Sequence, residues 1–112
     1  MKTFTIPIRT VSTLNLREHW RTRAKRAKEH RGISYAYAHW YKKELHLARM
    51  VRLVRVAPRK LDDDNLAASA KSLVDGIADA AGLNDREMRW EYAQERGRPR
   101  EYAVRVEIIA WS

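Results

Sequence analysis

The sequence predicts one α+β domain, in which a small mixed sheet packs against two helices. Four short apolar segments that alternate with polar residues indicate strands. Two longer segments with helical spacing separate the first three strands, which gives the order β-α-β-α-β-β. A chain of 112 residues, with 45% hydrophobic and 33% charged residues, suits a single folded domain over residues 1–112.

The first strand and the first helix form the N-terminal half. Phe4, Ile6 and Ile8 alternate with less apolar residues and predict a strand, followed by a polar turn over residues 10–15. A long helix is predicted from Leu16 to about Leu47, with Gly32 as a kink or break. The second part of this helix is rich in aromatic residues and is expected to be the better buried part.

The C-terminal half contains the remaining elements. Residues 50–56 are rich in Val and predict the second strand, which Pro58 ends. Apolar residues then recur at helical spacing from Leu66 to Ala81, and Gly82 predicts the end of the helix. Residues 88–92 and 102–111 alternate as the third and fourth strands, and Gly97 and Pro99 between them favour a terminal hairpin.

Charge is distributed unevenly along the chain. Residues 1–60 contain 16 Lys/Arg and 3 Asp/Glu, whereas residues 61–112 contain 7 and 11, for a total net charge of +9. The basic half favours a polyanionic partner such as nucleic acid. The acidic half would repel that partner unless something such as a divalent cation lies between them.

Composition excludes several kinds of site. The chain contains no Cys, which excludes disulfides, thiolate zinc sites and a Cys nucleophile. No apolar run is long enough to span a membrane, and the first residues alternate like a strand instead of forming the apolar core of a secretory signal. The expected location is therefore the cytoplasm.

The three adjacent carboxylates Asp62, Asp63 and Asp64 have two interpretations. The first is helix capping, in which Asp64 or Asn65 accepts hydrogen bonds from free backbone N–H groups. The second is a magnesium site, because Mg²⁺ prefers oxygen ligands and lowers the pKa of bound water in phosphodiester hydrolysis.

Helix geometry bears on the second interpretation. At about 100° per residue, Lys71 and Asp75 lie within roughly 20° of Asp64, opposite the apolar face. Asp85 follows in a polar turn, roughly 25–30 Å along the axis from Asp64 if all the intervening residues are helical. A single site that includes Asp85 therefore requires the chain to fold back.

The ordered set from Asp62-Asp63-Asp64-Asn65-Leu66 through Lys71 and Asp75-Gly76 to Gly82-Leu83-Asn84-Asp85 resembles the signature of the RusA family of Holliday-junction resolvases. The resemblance covers residues 61–92 and extends to the closing strand. It implies a RusA-like fold, a homodimer and Mg²⁺- or Mn²⁺-dependent cutting of four-way DNA junctions. It also implies that Asp62, Asp64 and Asp85 hold the metal and that Lys71 assists, provided that about three residues are inserted after Leu66; without that insertion the Lys position falls on Ala68.

Two residues depart from the family pattern. Asn84 replaces the first acid of a D-D pair, which raises the alternative of a catalytically silent DNA-binding module with the same fold. Asp63 is an additional acid within the motif. A nuclease that prefers flaps or forks is also compatible with the sequence.

The first part of the long helix carries seven cations with few acidic neighbours, and it is interpreted as a surface that contacts DNA phosphates. Solvated surface is the alternative. The expected DNA-binding residues are Arg17, Arg21, Arg23, Lys25, Arg26, Lys28 and Arg31. No motif reads base edges, so recognition of branched DNA by shape and backbone is expected. Membrane binding is not expected, because this helix lacks a large apolar face. The four Trp residues are expected mainly in the core or in a dimer interface.

Overall fold

The computed structural model describes residues 1–12, 14 and 17–111. In chain order, the elements are β1 (Lys2–Ile6), α1 (Trp20–Ala38), a 3-10 turn (His39–Tyr41), α2 (Lys42–His46), β2 (Met50–Ala57), α3 (Asp63–Ala81), a second 3-10 turn (Asp85–Glu87), β3 (Trp90–Arg96) and β4 (Ala103–Ile109). The predicted class and the predicted order of strands and long helices are confirmed.

The four strands form one mixed sheet in the order β1-β4-β2-β3. β4 is antiparallel to both of its neighbours, and β2 is parallel to β3. Parallel neighbours require a crossover connection, and α3 provides it, so that β2, α3 and β3 form a βαβ unit. α3 therefore begins beside the carboxyl end of β2.

The core lies between one face of this sheet and the helices. Leu53, Val106 and Phe4 are in register across three strands, and all three are buried. Leu73 and Ile77 of α3 belong to the same apolar cluster and have no exposed surface. Every second strand residue faces this layer, as period-two alternation predicts.

The predicted hairpin between the last two strands is wrong. β4 lies between β1 and β2, so β3 is an edge strand that does not pair with β4. The connecting segment passes the end of β2, where Gly97 N donates to the Ala57 carbonyl oxygen at 2.9 Å. The polarity of the two strands explains this order. β4 has three buried apolar residues, Val104, Val106 and Ile108, and lies inside the sheet, whereas β3 carries charged residues that suit an edge strand.

The predicted long helix differs from α1 in its bounds and in its break. Asn15 and Leu16, at the end of the predicted turn and the start of the predicted helix, lie outside the described residues. Gly32 lies within α1, and the break falls at the 3-10 turn before α2. At this break the Tyr41 ring stacks on Phe4 of β1 with centroids 4.6 Å apart, so the break coincides with a packing contact to the sheet.

Placement in the core is wrong for several of the aromatic residues, whereas placement in a dimer interface stays a prediction. Trp20, Trp40 and Trp111 are 66%, 84% and 73% exposed, and Tyr35 and Tyr37 also reach the solvent. Trp90 differs, because it is partly buried against the core cluster. Small residues explain the exposure: α1 contacts the core through Ser34 and Ala38, which leaves its large aromatic side chains outside.

α1 and α3 approach each other closely at Gly76. A Cβ atom at Gly76 would overlap Ser34 Oγ and the Arg31 carbonyl oxygen, and it would lie 3.0 Å from Tyr35 N. Glycine in a helix interior usually costs about 1 kcal/mol relative to alanine. Here its missing side chain allows the two helix backbones to pack. Among the helices of the described residues, none is long and apolar enough to cross a membrane.

Candidate metal and nucleic-acid site

The first carboxylate of the acidic run caps α3. Asp62 is the N-cap residue, and its Oδ1 accepts hydrogen bonds from Asn65 N at 2.9 Å and Asn65 Nδ2 at 2.8 Å. The backbone hydrogen bond and then the side-chain bond lower the pKa of the Asp62 carboxyl from its ordinary value. The prediction that Asp64 or Asn65 caps the helix is therefore wrong. Asp62 keeps the extended backbone of a cap, whereas Asp63 and Asp64 begin the first turn.

Asn65 is buried in the first turn of α3 and binds the segment that follows β1. Its side-chain oxygen accepts a hydrogen bond from Ser12 Oγ, in the segment that follows β1. A buried amide needs hydrogen-bond partners, and Asp62 and Ser12 provide them. The segment after β1 is thereby held beside the carboxylates of Asp62 and Asp64.

The chain folds back after α3 and brings Asp85 to the helix. Gly82 adopts a left-handed conformation with φ 70°, which ends the helix, and Asp85 begins the following 3-10 turn. Lys71 Nζ then lies 2.9 Å from Asp75 Oδ1 and 3.3 Å from Asp85 Oδ2. Asp85 therefore contacts a residue only about 10 Å along the axis from Asp64.

Part of the predicted charged column is present on this edge of α3. Lys71 and Asp75 form an ion pair one helical turn apart, and the pKa of the Lys71 ammonium is raised, chiefly by its hydrogen bond to Asp75. Asp64 is exposed, and no hydrogen bond or ion pair joins it to Lys71. The structure thus brings Lys71 and Asp85 together and leaves Asp62 and Asp64 at the helix N-terminus.

Tyr92 on β3 lies beside the Lys71 cluster. It is in register with Leu53, and it packs partly buried against the core. Desolvation raises the pKa of the Tyr92 hydroxyl; the charge of Lys71 opposes this effect, and those of Asp85 and Asp75 add to it. The sequence predicts Tyr92 only as part of a strand, because its proximity to Lys71 depends on how α3 lies over β3.

The donor chemistry of Asp62 and Asp64 fits a hard divalent cation. Both side chains are exposed, and among the described residues no donor bonds to Asp62 Oδ2 or to either carboxylate oxygen of Asp64. Mg²⁺ is usually held by one or two carboxylates, with water and phosphate completing its coordination. Asp85 differs, because Lys71 engages one of its oxygens. Across residues 1–12, 14 and 17–111, no three His, Asp or Glu side chains converge to hold one ion.

Asn84 has a structural role of its own. Its side chain accepts a hydrogen bond from Arg86 N at 3.2 Å, while Glu87 Oε1 accepts one from Asn84 N at 3.0 Å. This reciprocal arrangement is a capping box, and it stabilises the turn that carries Asp85. An amide at this position therefore supports the fold-back without adding a negative charge.

Ion pairs divide the seven predicted DNA-binding residues. Glu18 pairs with Arg26 and lies 3.9 Å from Arg23. Asp79 of α3 binds Arg31 through two contacts, at 2.7 and 3.0 Å. These pairs reduce the free positive charge that the sequence suggested. The pairing of Arg31 could not be predicted, since Asp79 is distant from it in the chain. The remaining four are exposed and have no ion-pair partner within the described part of the chain: Arg17, Arg21, Lys25 and Lys28.

Trp20 adds an exposed aromatic surface to this cationic end of α1. The Arg21 guanidinium lies 5.3 Å from the centroid of its ring, and His19 stacks on the same ring. The His19 side chain also caps the helix by accepting a hydrogen bond from Arg21 N. Cations with an exposed aromatic ring are typical of surfaces that bind nucleic acid through its backbone and unpaired bases.

No protein-family model matches this sequence, and no curated protein or solved structure is significantly similar to it.

Proposed function

We propose that this protein is a divalent-metal-dependent endonuclease that cuts branched DNA, with four-way junctions as the substrate. The fold-back supports the proposal most, because it gathers Lys71, Asp75 and Asp85 on the edge of α3 that carries Asp64, about 10 Å along the axis from it. The free cations of α1 support a DNA partner. A cytoplasmic location and a homodimer with two-fold symmetry, which pairs the nicks, belong to the same proposal.

Each group has a proposed task. Asp62 and Asp64 would hold Mg²⁺ or Mn²⁺, which supplies a Lewis acid and a water of lowered pKa. Lys71 neutralises negative charge on the phosphate, and Asp75 and Asp85 orient its ammonium group. Asn65 holds Asp62 in position through Oδ1 alone, which leaves Oδ2 available to a metal ion. The cations of α1 bind the flanking backbone.

Cleavage of a labelled four-way junction, with linear duplex in parallel, tests the proposal in Mg²⁺, Mn²⁺ and EDTA. Metal-dependent paired nicks in the junction alone are expected. Asp64→Asn should lower the cleavage rate by more than about a hundredfold, while junction binding stays equal or tightens because a negative charge is lost. Asp63→Asn is the matched control in the same exposed helical turn, and it should cut within a few-fold of the wild type. An Asp64→Asn protein that cuts at the wild-type rate contradicts the assignment.

A catalytically silent DNA-binding module is the second candidate, and Asn84 favours it. In this structure Asn84 serves the capping box, and Lys71 neutralises Asp85. Thermal melting separates the two candidates, because a metal-binding enzyme gains melting temperature in millimolar Mg²⁺ or Mn²⁺ and a silent module does not. The same measurement on Asp64→Asn shows whether any gain depends on the acidic run.

A further inference from the structure

Arg55 is a partly buried arginine on the core-facing side of the central strand β2. It is in register with the buried Val104 of β4. Burial lowers the pKa of its guanidinium from the ordinary value. The charge of Tyr102 opposes this shift, and the charge of Arg9 adds to it. Arginine is rarely buried without a pairing anion, because desolvation penalises an isolated charge.

The partners of Arg55 are neutral. Its Nε donates to Thr10 Oγ1 at 3.2 Å, and its Nη1 donates to the Arg59 carbonyl oxygen at 2.7 Å. Over residues 1–12, 14 and 17–111, no carboxylate pairs with Arg55 and no acceptor bonds to its Nη2. The guanidinium is therefore held in a fixed orientation with donor capacity to spare.

Arg9 is a second cation in this region, because it directly precedes Thr10, whose hydroxyl accepts the hydrogen bond from Arg55. Arg9 is exposed, and its guanidinium carbon lies 4.3 Å from the centroid of the Tyr102 ring. It is likewise without a carboxylate partner in the described part of the chain. Two guanidinium groups held near each other repel, and a bound anion removes that repulsion.

These arginines lie beside the N-terminus of α3. Thr10, which accepts from Arg55, is two residues from Ser12, which bonds to Asn65 in the first turn of α3. On the other side, Gln94 is in register with Arg55 and bonds to both backbone groups of Leu61, the residue before Asp62. The segments that contact Arg55 are thus bonded to residues on both sides of the acidic run, Leu61 before it and Asn65 after it.

We propose that Arg55 and Arg9, with Tyr102 beside them, bind one phosphate group adjacent to Asp62 and Asp64. The planar guanidinium suits phosphate, since its N–H groups donate to two oxygens at once. The phosphate belongs to a DNA strand, an identification that rests on the proposed function. The two arginines alone bind free phosphate weakly. A DNA strand is also held by the cations of α1, so one of its phosphates reaches the arginines at high effective concentration.

Salt-dependent binding of an uncut four-way junction in EDTA tests this assignment without requiring catalysis. Arg55→Gln and Arg9→Gln should each weaken binding by about tenfold and lower the slope of log K against log salt concentration by about 1. Arg49→Gln is the matched control, because Arg49 is an exposed arginine before the opposite end of β2. It should bind with nearly the wild-type slope. Arg9 is exposed, so its variant tests the site even if Arg55→Gln folds poorly.

Inorganic phosphate at constant ionic strength distinguishes the source of the anion. Weak competition with junction binding by the wild type, lost in Arg55→Gln, supports a backbone phosphate at this site. If Arg9→Gln and a folded Arg55→Gln keep the slope and affinity of Arg49→Gln, the assignment is overturned, even where the wild type cuts junctions. If both lose binding as expected while no metal supports cutting, the phosphate site stands and the proposed endonuclease function fails.

Discussion

α1 and α3 have the same length of 19 residues and differ in almost every other respect. α3 buries eleven of its residues, whereas α1 buries only Ser34 and Ala38. α3 carries an apolar stripe over the sheet, while most charged residues of α1 face the solvent. Helix length therefore does not decide which helix supports the core, and the spacing of apolar side chains does.

The two helices lie against each other along both halves of α1, and the closest approach is in its C-terminal half. Ser34 packs against Gly76, and Arg31 forms its bidentate pair with Asp79. The N-terminal half of α1 also lines a small cavity with α3, and its exposed side carries three cations that have no ion-pair partner among the described residues: Arg21, Lys25 and Lys28. α3 thus contributes most of the helical part of the core, and α1 presents most of the exposed positive charge.

Truncation of an apolar residue in each helix should give the largest difference. Leu73→Ala should lower the free energy of unfolding by about 2–5 kcal/mol, because Leu73 has no exposed surface and its loss leaves a cavity. Ile33→Ala in α1 should cost less than about 1 kcal/mol, since Ile33 is 40% exposed. Urea unfolding measures both changes, and equal costs would contradict the division between the helices.

Glycine substitution should have opposite signs in the two helices. Gly76→Ala should destabilise the protein by about 1–3 kcal/mol, because its methyl group overlaps Ser34 and the Arg31 carbonyl oxygen. Gly32→Ala should stabilise it by up to about 1 kcal/mol, since no atom lies within 4 Å of the added Cβ. Thermal melting distinguishes these signs, and a stable Gly76→Ala protein would show that the helices do not pack this closely.

Removal of single charges should distinguish the paired and unpaired cations within α1. Lys28→Gln should weaken DNA binding several-fold and lower the salt slope by about 1, because Lys28 has no ion-pair partner in the described residues. Arg26→Gln should change the slope less, since Glu18 already neutralises Arg26. Titration of labelled junction at several salt concentrations measures both; equal slopes would show that the Glu18 pair opens on binding.

A change of pH should have the smallest effect, and it acts through His30. Desolvation, followed by the charge of Arg26, lowers the pKa of His30 below 6.5, while Glu29 opposes this shift. As the pH falls, the unfolded chain therefore takes up the proton at a higher pH than the folded protein does. The contribution of His30 to the free energy of unfolding is present above pH 6.5 and decreases as the pH falls from 6.5 to the pKa of His30 in the folded protein. The wild type should lose slightly more melting temperature than His30→Gln between pH 7.5 and 5.5. The exposed His39→Gln should behave like the wild type.

Much of α3 could be predicted from the sequence, and less of α1. The apolar residues between Leu66 and Ala81 recur at helical spacing, and the helix ends at Gly82 as predicted. The charged column was also predictable, because Lys71 and Asp75 are neighbours on any helix. The ends of α1 were not, because a run of Arg, Lys, Ala and aromatic residues has no apolar stripe that marks where the helix starts or breaks.

The candidate site shows the same division. The acidic run and Lys71 are local features, and the sequence alone presents them as a group. Asp62 as the cap, Asp85 beside Lys71 and the unpaired Arg55 depend on how distant segments meet. Arg55 lies within the strand predicted over residues 50–56, and a strand pattern does not indicate which charged side chains find a partner.

By itself, the sequence determined the class of fold, the order of strands and long helices, the basic and acidic halves and the face of α3 that is buried. These follow from interactions between residues a few positions apart, where backbone geometry fixes the spacing. Only the tertiary structure decided the position of β4 between β1 and β2, the pairing of Arg31 with Asp79 and the return of Asp85 to α3. These contacts join residues far apart in the chain, and burial of the whole apolar surface selects among the alternatives that local pattern leaves open.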